Sequence, residues 1–302
     1  MKLRSPGIVP FRDCESGMKT MRKLLLGAAA ISLSGCSFLG LGGHGAHQGY
    51  NAPSYGTGYA STGSKCSPSH AVLANGNCLS RLNIEGGVGA SFHVGGDVVT
   101  GDKGTFPGTN VRNVSYEEAY DTGIRYELGA SYALSPNTKV SATGFIDEAD
   151  SAGNLNFGTV GGAAFTGSMS DRKSTGLELG LRKYFNPKSA PLVRSVRPYV
   201  EGRVGAAYQD AVFMENAQLG GVNIGTGRLA FSDSGWVPSA AGLVGIETPL
   251  TRYSTIGIET GLRYTGAPET NNTTFGPGPF QDLNDSEAHL SVPLMLRGRY
   301  RF

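Results

Sequence analysis

The sequence predicts an all-β protein: an eight-stranded antiparallel transmembrane β-barrel with long extracellular loops, preceded by a flexible N-terminal tether. Eight segments after residue 80 alternate apolar side chains with polar or small ones, which is the period of a strand with two different faces. The connections between these segments are alternately long and short. Glycine is abundant, at 46 of 302 residues, and this suits the curvature of a narrow barrel.

The overall composition excludes two other classes of protein. Only 39% of the residues are hydrophobic and the mean hydropathy is -0.17, so a bundle of membrane-spanning helices is not expected. The net charge is +2, from 26 Lys and Arg against 24 Asp and Glu. Since no run of basic residues could neutralise a row of phosphates, nucleic acid is not an expected partner.

The N-terminus is predicted to direct export. A basic stretch at 18–23 precedes an apolar stretch at 24–33, which is too short to span a bilayer as a helix. Residues 18–35 are therefore interpreted as a signal peptide. Residues 1–17 precede a complete signal and are interpreted as an upstream extension from a start codon placed too early.

The end of this signal carries a lipidation motif. The residues Leu33-Ser34-Gly35-Cys36 resemble the lipobox of bacterial lipoproteins. The resemblance implies that Cys36 is lipidated and becomes the first residue of the mature chain. An ordinary signal peptide cleaved nearby is the alternative.

Residues 36–79 are predicted to be a Gly/Tyr/Ser-rich tether that contains a disulfide loop. Cys66 and Cys78 flank the turn dipeptide at 75–76, and an exported protein favours a disulfide between them. His44 and His47 are too few to make a metal site. Neither a metal nor a cofactor is expected.

The barrel is assigned to residues 80–302. Its strands are predicted at about 82–94, 124–134, 139–146, 177–182, 200–208, 238–247, 256–264 and 288–302. A soluble sandwich or a lipocalin-like barrel would also alternate in this way. The regular exchange of long and short connections favours an outer-membrane barrel, which has long extracellular loops and short periplasmic turns.

The polar faces of these strands carry a set of opposite charges. An eight-stranded barrel is barely wide enough for its own side chains, so these charges are expected to pair across the interior and to fill it. The predicted network consists of Glu85, Arg125, Glu127, Glu178, Arg182, Glu201, Arg203, Glu247, Glu259, Arg263, Arg297 and Arg299. Carboxylates of this kind can also act as acid/base catalysts, but no cleft for a substrate is expected.

The last strand adds a family resemblance. Its alternating apolar residues, ending with Tyr300 and Phe302, resemble the C-terminal insertion signal of outer-membrane barrels. The segment 80–302 resembles the small barrels of the OmpA, OmpX and Opa type. The resemblance implies a location in the bacterial outer membrane, with outer-membrane lipid and the barrel assembly machinery as partners. The chain departs from full-length OmpA because no peptidoglycan-binding domain follows the barrel.

One pair of residues suggests catalysis. His289 and Ser291 resemble the His and Ser of outer-membrane lipid A deacylases, in which the His is a base and the Ser a nucleophile. Both residues are predicted on the inner face, away from lipid, so the protein is expected not to be an enzyme. Function is assigned to the extracellular loops, in envelope integrity or contact with an unidentified extracellular ligand or surface. A narrow porin-like channel and a lipid-modifying enzyme are the alternatives.

Overall fold

The computed structural model describes residues 70–72, 78–101, 108–185, 196–224, 227–271 and 284–301. The predicted upstream extension, signal peptide and most of the tether lie outside these residues, as do Cys36, Cys66 and Phe302. Those predictions stay predictions. Of the tether, the structure describes a short hairpin in which Val72 pairs with Cys78.

The strands are numbered in chain order. They are β1 (His70–Val72), β2 (Cys78–Ser80), β3 (Leu82–Gly95), β4 (Asp97–Val99), β5 (Thr109–Val111), β6 (Val114–Ser115), β7 (Gly123–Ser135), β8 (Thr138–Ala149), β9 (Asn154–Val160), β10 (Ala163–Met169), β11 (Arg172–Tyr184), β12 (Arg197–Gln209), β13 (Val212–Leu219), β14 (Val222–Asn223), β15 (Leu229–Asp233), β16 (Gly235–Pro249), β17 (Ser254–Thr265), β18 (Glu269–Thr270) and β19 (His289–Arg301). One described helix, α1 (Tyr116–Ala119), follows β6. In the described part of the chain, no helix is both long and apolar enough to cross a membrane.

The predicted fold class is confirmed. Eight strands form a closed antiparallel barrel in the order β3, β7, β8, β11, β12, β16, β17 and β19, and β19 pairs with β3 to close it. Each barrel strand therefore pairs with the barrel strands that precede and follow it in the chain. Long connections at 96–122, 150–171, 210–234 and 266–288 define the loop end, and short ones at 136–137, 185–196 and 250–253 define the turn end.

The two faces of the barrel wall have opposite chemistry, as β11 shows. Leu177, Leu179 and Leu181 are 55–61% exposed on its outer face. Glu178 and Arg182, from the same strand, are buried inside. A closed barrel pairs its strand backbones with one another, and an outer apolar band then faces lipid rather than water.

The four long loops fold together into a cap on the loop end. Six of their strands form a sheet in the order β18, β15, β13, β10, β9 and β5, with β14 paired to β13. Beneath this sheet lies an apolar core that includes Phe157, Phe165, Met214 and Phe231. This second core was not predicted from the sequence.

Two hairpins of the cap turn on glycine pairs. The β9–β10 hairpin turns at Gly161 and Gly162, which have φ angles of 60° and 79°, and the β13–β14 hairpin turns at Gly220 and Gly221, at 59° and 81°. Two consecutive positive φ angles are those of a type I′ turn, whose twist matches that of the paired strands. These turns return the chain to the cap sheet.

Candidate functional site

The barrel interior receives all twelve residues of the predicted charge network. Each is at most 8% exposed, and together they form two groups that differ in height. The loop-side cluster consists of Arg125, Glu127, Asp147, Glu178, Arg203, Glu259, Arg263 and Arg297. The turn-side cluster consists of Glu85, Lys139, Arg182, Glu201, Glu247 and Arg299.

In the loop-side cluster each arginine bridges carboxylates from other strands. The Arg263 guanidinium lies 2.8 Å from Glu178 and 2.6 Å from Glu127. Arg203 lies 2.9 Å from Glu127, and Arg297 lies 2.8 Å from Glu259. These ion pairs cross the barrel interior rather than follow one strand.

In the turn-side cluster the same arrangement is repeated. Arg182 lies 2.7 Å from Glu201, 3.0 Å from Glu85 and 3.3 Å from Glu247. Arg299 lies 2.8 Å from Glu85 and also pairs with Glu247. A contact of 3.1 Å between Arg203 and Glu201 links the two clusters.

Two charged residues in these clusters were missing from the predicted network. Asp147 lies 3.5 Å from Arg125 in the loop-side cluster. Lys139 is buried in the turn-side cluster, where it interacts electrostatically with Glu85 and Glu247. With them the loop-side cluster has four acids and four bases, and the turn-side cluster has three of each, so each cluster is neutral.

Aromatic rings fill space that inward-facing glycines leave. The Tyr199 ring lies over Gly245, where an added Cβ would be 2.4 Å from it, and its hydroxyl donates to Glu259 at 2.8 Å. The Phe145 ring lies over Gly176 in the same way, and the Arg125 guanidinium stacks 3.7 Å from its centre. Glycine at these two positions is required by the close approach of a ring.

The structure describes one small cavity within the turn-side cluster. This cavity, lined by Glu85, Arg182, Tyr199 and Glu247, has room for about one water molecule. The charged side chains and rings therefore occupy the interior that a solute would have to cross.

A histidine pair lies where the barrel meets the cap. His93 Nδ1 and His289 Nε2 are 2.6 Å apart, and Arg172 approaches His289 Nδ1 at 3.3 Å. Because Arg172 can only donate, His289 accepts at Nδ1 and donates from Nε2 to His93. His93 then carries its proton on Nε2, which has no hydrogen-bond partner among the described residues.

Two tyrosines of the cap cover this pair. The Tyr116 ring centre lies 4.7 Å from that of His289, and the Tyr120 ring centre lies 6.1 Å from that of His93. Burial raises the pKa of both tyrosine hydroxyls above the ordinary value. Aromatic rings of the first loop thus lie over the histidine pair at the mouth of the barrel.

The structure gives the His289 and Ser291 pair no access to lipid. Both are buried on the inner face of the barrel, at 2% and 3% exposure. His289 contacts Arg172 and His93 inside the barrel. An acyl chain in the membrane would meet the opposite face of β19.

Of the remaining predicted site residues, the structure describes Tyr300 and the backbone of Cys78. Tyr300 is 44% exposed on the outer face of β19. The predicted disulfide stays a prediction, because the structure describes only the backbone of Cys78 and nothing of Cys66. Among the described residues, no three His, Cys, Asp or Glu side chains are grouped so that they could hold a metal ion.

The four loops are joined to one another by hydrogen bonds around the cap. The backbone N–H of Asp121 donates to Asp150 between the first and second loops, and Ser170 donates to Phe213 between the second and third. The side chain of Asn284 joins the fourth loop to the third by donating to the carbonyl of Phe231 at 2.9 Å. The N–H of Glu287 closes the ring by donating to the carbonyl of Asp97 in the first loop.

Comparisons with known proteins were made for the whole chain. No protein-family model matches it, and no curated protein matches it in sequence. Neisserial surface protein A is 11% identical over 74% of this chain and 99% of its own, with a TM-score of 0.38. OprG from Pseudomonas aeruginosa is 17% identical over 73% of this chain and 95% of its own, with a TM-score of 0.40. Ail of Yersinia pestis, solved with the heparin analogue sucrose octasulfate, is 13% identical over 74% and 99%, with a TM-score of 0.34.

The location follows from the chain's own architecture. Bacterial outer-membrane proteins cross their membrane as closed antiparallel barrels with an even strand number, an apolar outer band and a polar interior. All of these features are present. The chain is a bacterial outer-membrane β-barrel protein.

Proposed function

We propose that this protein acts without catalysis, through its extracellular cap, in contact with a surface or in the integrity of the envelope. The observation that carries this proposal is the hydrogen-bonded ring of four loops over its own apolar core. Loops that bind nothing need no core of this kind, whereas a recognition surface gains affinity when its shape is fixed in advance. The filled interior of the barrel favours a surface role over transport.

The cap core provides a way to separate the cap from the barrel. Phe157 is fully buried there, with its ring centre 5.4 Å from that of Phe165. Replacing it by Asp would bury an unpaired charge and should unfold the cap. The barrel strands, which form a separate closed sheet, should still insert. The matched control is Val222→Asp, because Val222 lies in the same cap and is 67% exposed.

The experiment uses a deletion strain that produces the wild-type protein, Phe157→Asp or Val222→Asp. We expect the wild type and the control to restore adherence to surfaces or resistance to detergent. Phe157→Asp should fail to restore either, although equal amounts of folded barrel reach the outer membrane. Full restoration by Phe157→Asp would overturn the proposal. Altered lipid A in an overproducing strain would support the lipid-modifying enzyme instead.

The N-terminal and C-terminal predictions belong to the same proposal. Lipidation at Cys36 would help to place the protein in the outer membrane, since a single acyl chain binds a membrane only weakly. Tyr300 and Phe302 would present the last strand to the assembly machinery. Labelling with radioactive palmitate tests the first point, because Cys36→Ala should abolish the label and leave the barrel in the membrane.

A further inference from the structure

The two ends of the barrel carry opposite charge, although the net charge of the whole chain is only +2. The described loop residues include twelve carboxylates, which are those of Asp97, Glu117, Glu118, Asp121, Asp150, Asp171, Asp210, Glu215, Asp233, Glu269, Asp285 and Glu287. The cations among the same residues are two, Arg112 and Arg228. The interior clusters balance, and Arg172 at the barrel mouth adds one buried cation, so this end keeps a large negative excess.

The turn end has the reverse charge. Its cationic rim consists of Arg81, Lys183, Arg197, Arg252 and Arg301. No Asp or Glu occurs in the described turn residues 136–137, 185, 196 and 250–253. Arg197 donates to the carbonyl of Pro136 at 3.2 Å, and Lys183 donates to the hydroxyl of Thr138 at 3.3 Å.

The outer face of β11 shows how this rim meets the membrane. Its outward residues continue from Leu179 and Leu181, 61% and 55% exposed, to Lys183 and then to Phe185, 50% exposed. A lysine among exposed apolar side chains lays its aliphatic stem on the apolar band and extends its ammonium to the headgroups. Lys183 is therefore at the level of the lipid phosphates.

Aromatic residues mark the same level elsewhere. Tyr253 and Tyr300 are 47% and 44% exposed at the turn end, and their ring centres are 6.3 Å apart. Exposed aromatic rings of outer-membrane barrels form girdles at the interface between acyl chains and headgroups. Arg252 is exposed in the turn beside Tyr253 and so is adjacent in sequence to this girdle.

We propose that Lys183 and Arg252, the two exposed cations of this rim, bind the phosphate headgroups of anionic phospholipids in the leaflet that the turn end faces. Charge complementarity selects an anionic headgroup over a zwitterionic one, and the aromatic girdle fixes the height at which it binds. The acidic cap is repelled by the same headgroups. The rim thus adds lipid recognition to a barrel whose proposed function lies at the other end, and the two stand independently.

The test measures which lipids the full-length protein retains from bilayers with equal amounts of phosphatidylglycerol and phosphatidylcholine. Native mass spectrometry counts each lipid bound to the released protein. The wild type should retain phosphatidylglycerol preferentially, and added salt should reduce that preference. Lys183→Gln and Arg252→Gln should each lower the ratio by about fivefold, which corresponds to about 1 kcal/mol for one cation near an anionic surface.

The chain offers a matched control on the same strand. Lys173 is an exposed lysine of β11 at the loop end, where it pairs with Glu148 at 2.8 Å. Lys173→Gln should leave the lipid ratio unchanged. The proposal is overturned if the wild type shows no preference for phosphatidylglycerol, or if Lys173→Gln lowers the ratio as much as Lys183→Gln. The proposal is also overturned if the wild-type protein binds carboxylate-bearing cell-wall fragments but shows no preference between the two lipids.

Discussion

Removing a single charged side chain from the barrel interior lowers stability because its buried partners are left unpaired. Arg263 bridges Glu127 and Glu178, and all three are at most 4% exposed. Breaking a buried pair leaves an uncompensated charge, which typically costs about 3–5 kcal/mol. A pair on the surface is solvated before and after, and its loss costs at most about 1 kcal/mol.

We therefore expect Arg263→Ser to lower the free energy of unfolding of the barrel by several kcal/mol. Arg228→Ser, which breaks an exposed pair with Glu215 at 2.6 Å, is the control and should have little effect. Urea unfolding in micelles, followed by the heat-sensitive shift of the folded band in gels, measures both. If Arg263→Ser unfolds like the control, the interior charges are solvated and the barrel is not filled.

Tyr120 gives a pH dependence to the cap. Burial raises the pKa of its hydroxyl, whereas in the unfolded chain a tyrosine has a pKa of about 10. Above about pH 10 this hydroxyl ionises readily only in the unfolded chain. The free energy of unfolding of the cap is therefore unaffected below that pH and falls as the pH rises further. We expect protease cleavage within the cap to increase above about pH 10. The absorbance of ionised tyrosine should increase over the same pH range.

Tyr120→Phe is the matched variant for this prediction. The hydroxyl has no hydrogen-bond partner among the described residues, so its removal should leave cap stability unchanged or raise it by about 1 kcal/mol. The variant should also resist alkaline opening better than the wild type. The same alkaline midpoint in both proteins would show that a different group controls opening.

At the scale of the strand, the two faces of the wall can be separated by substitution. Leu128 of β7 is 64% exposed on the outer face, and Val222 of the cap is 67% exposed. We expect Leu128→Arg to cost about 2–4 kcal/mol if it lies near the bilayer midplane, because the arginine would enter hydrocarbon. Val222→Arg should cost almost nothing because that side chain is in water. Unfolding in lipid vesicles compares them, and equal costs would place β7 outside the membrane.

The strands were predictable because each carries its own signal. Alternation is a local pattern, so the strand through Glu178 and its exposed leucine neighbours could be found without knowing the partner strands. Asp147 was missed because the predicted strand ended at 146, whereas β8 continues to Ala149. Lys139 lies at the start of the predicted strand, but its electrostatic partners Glu85 and Glu247 lie on other strands and could not be identified from spacing.

The cap was not predicted, for a physical reason. The first three loops each contribute a few apolar residues to its core, and these residues are buried together only when the loops meet on the closed barrel. Phe157 and Phe231 belong to the same core but lie more than 70 positions apart in the sequence. No short stretch of sequence therefore contains both residues. One local signal was available: the Gly-Gly pairs at 161–162 and 220–221, each between residues that pair as strands, are typical of a two-residue hairpin.

For the whole molecule, these features predict that the barrel does not conduct ions. The interior holds seven acids and seven bases in neutral clusters, and the Tyr116 and Tyr120 rings cover its mouth. Eight strands leave room for side chains but for no aqueous channel. Planar bilayers with the purified protein should therefore show no stable porin-like current steps. Because the clusters are what fills the interior, replacing Arg125, Arg182 and Arg263 together by Ser should destabilise the barrel and open a leak. Large stable steps from the unmodified protein would show an open interior and would favour the narrow channel over the surface role.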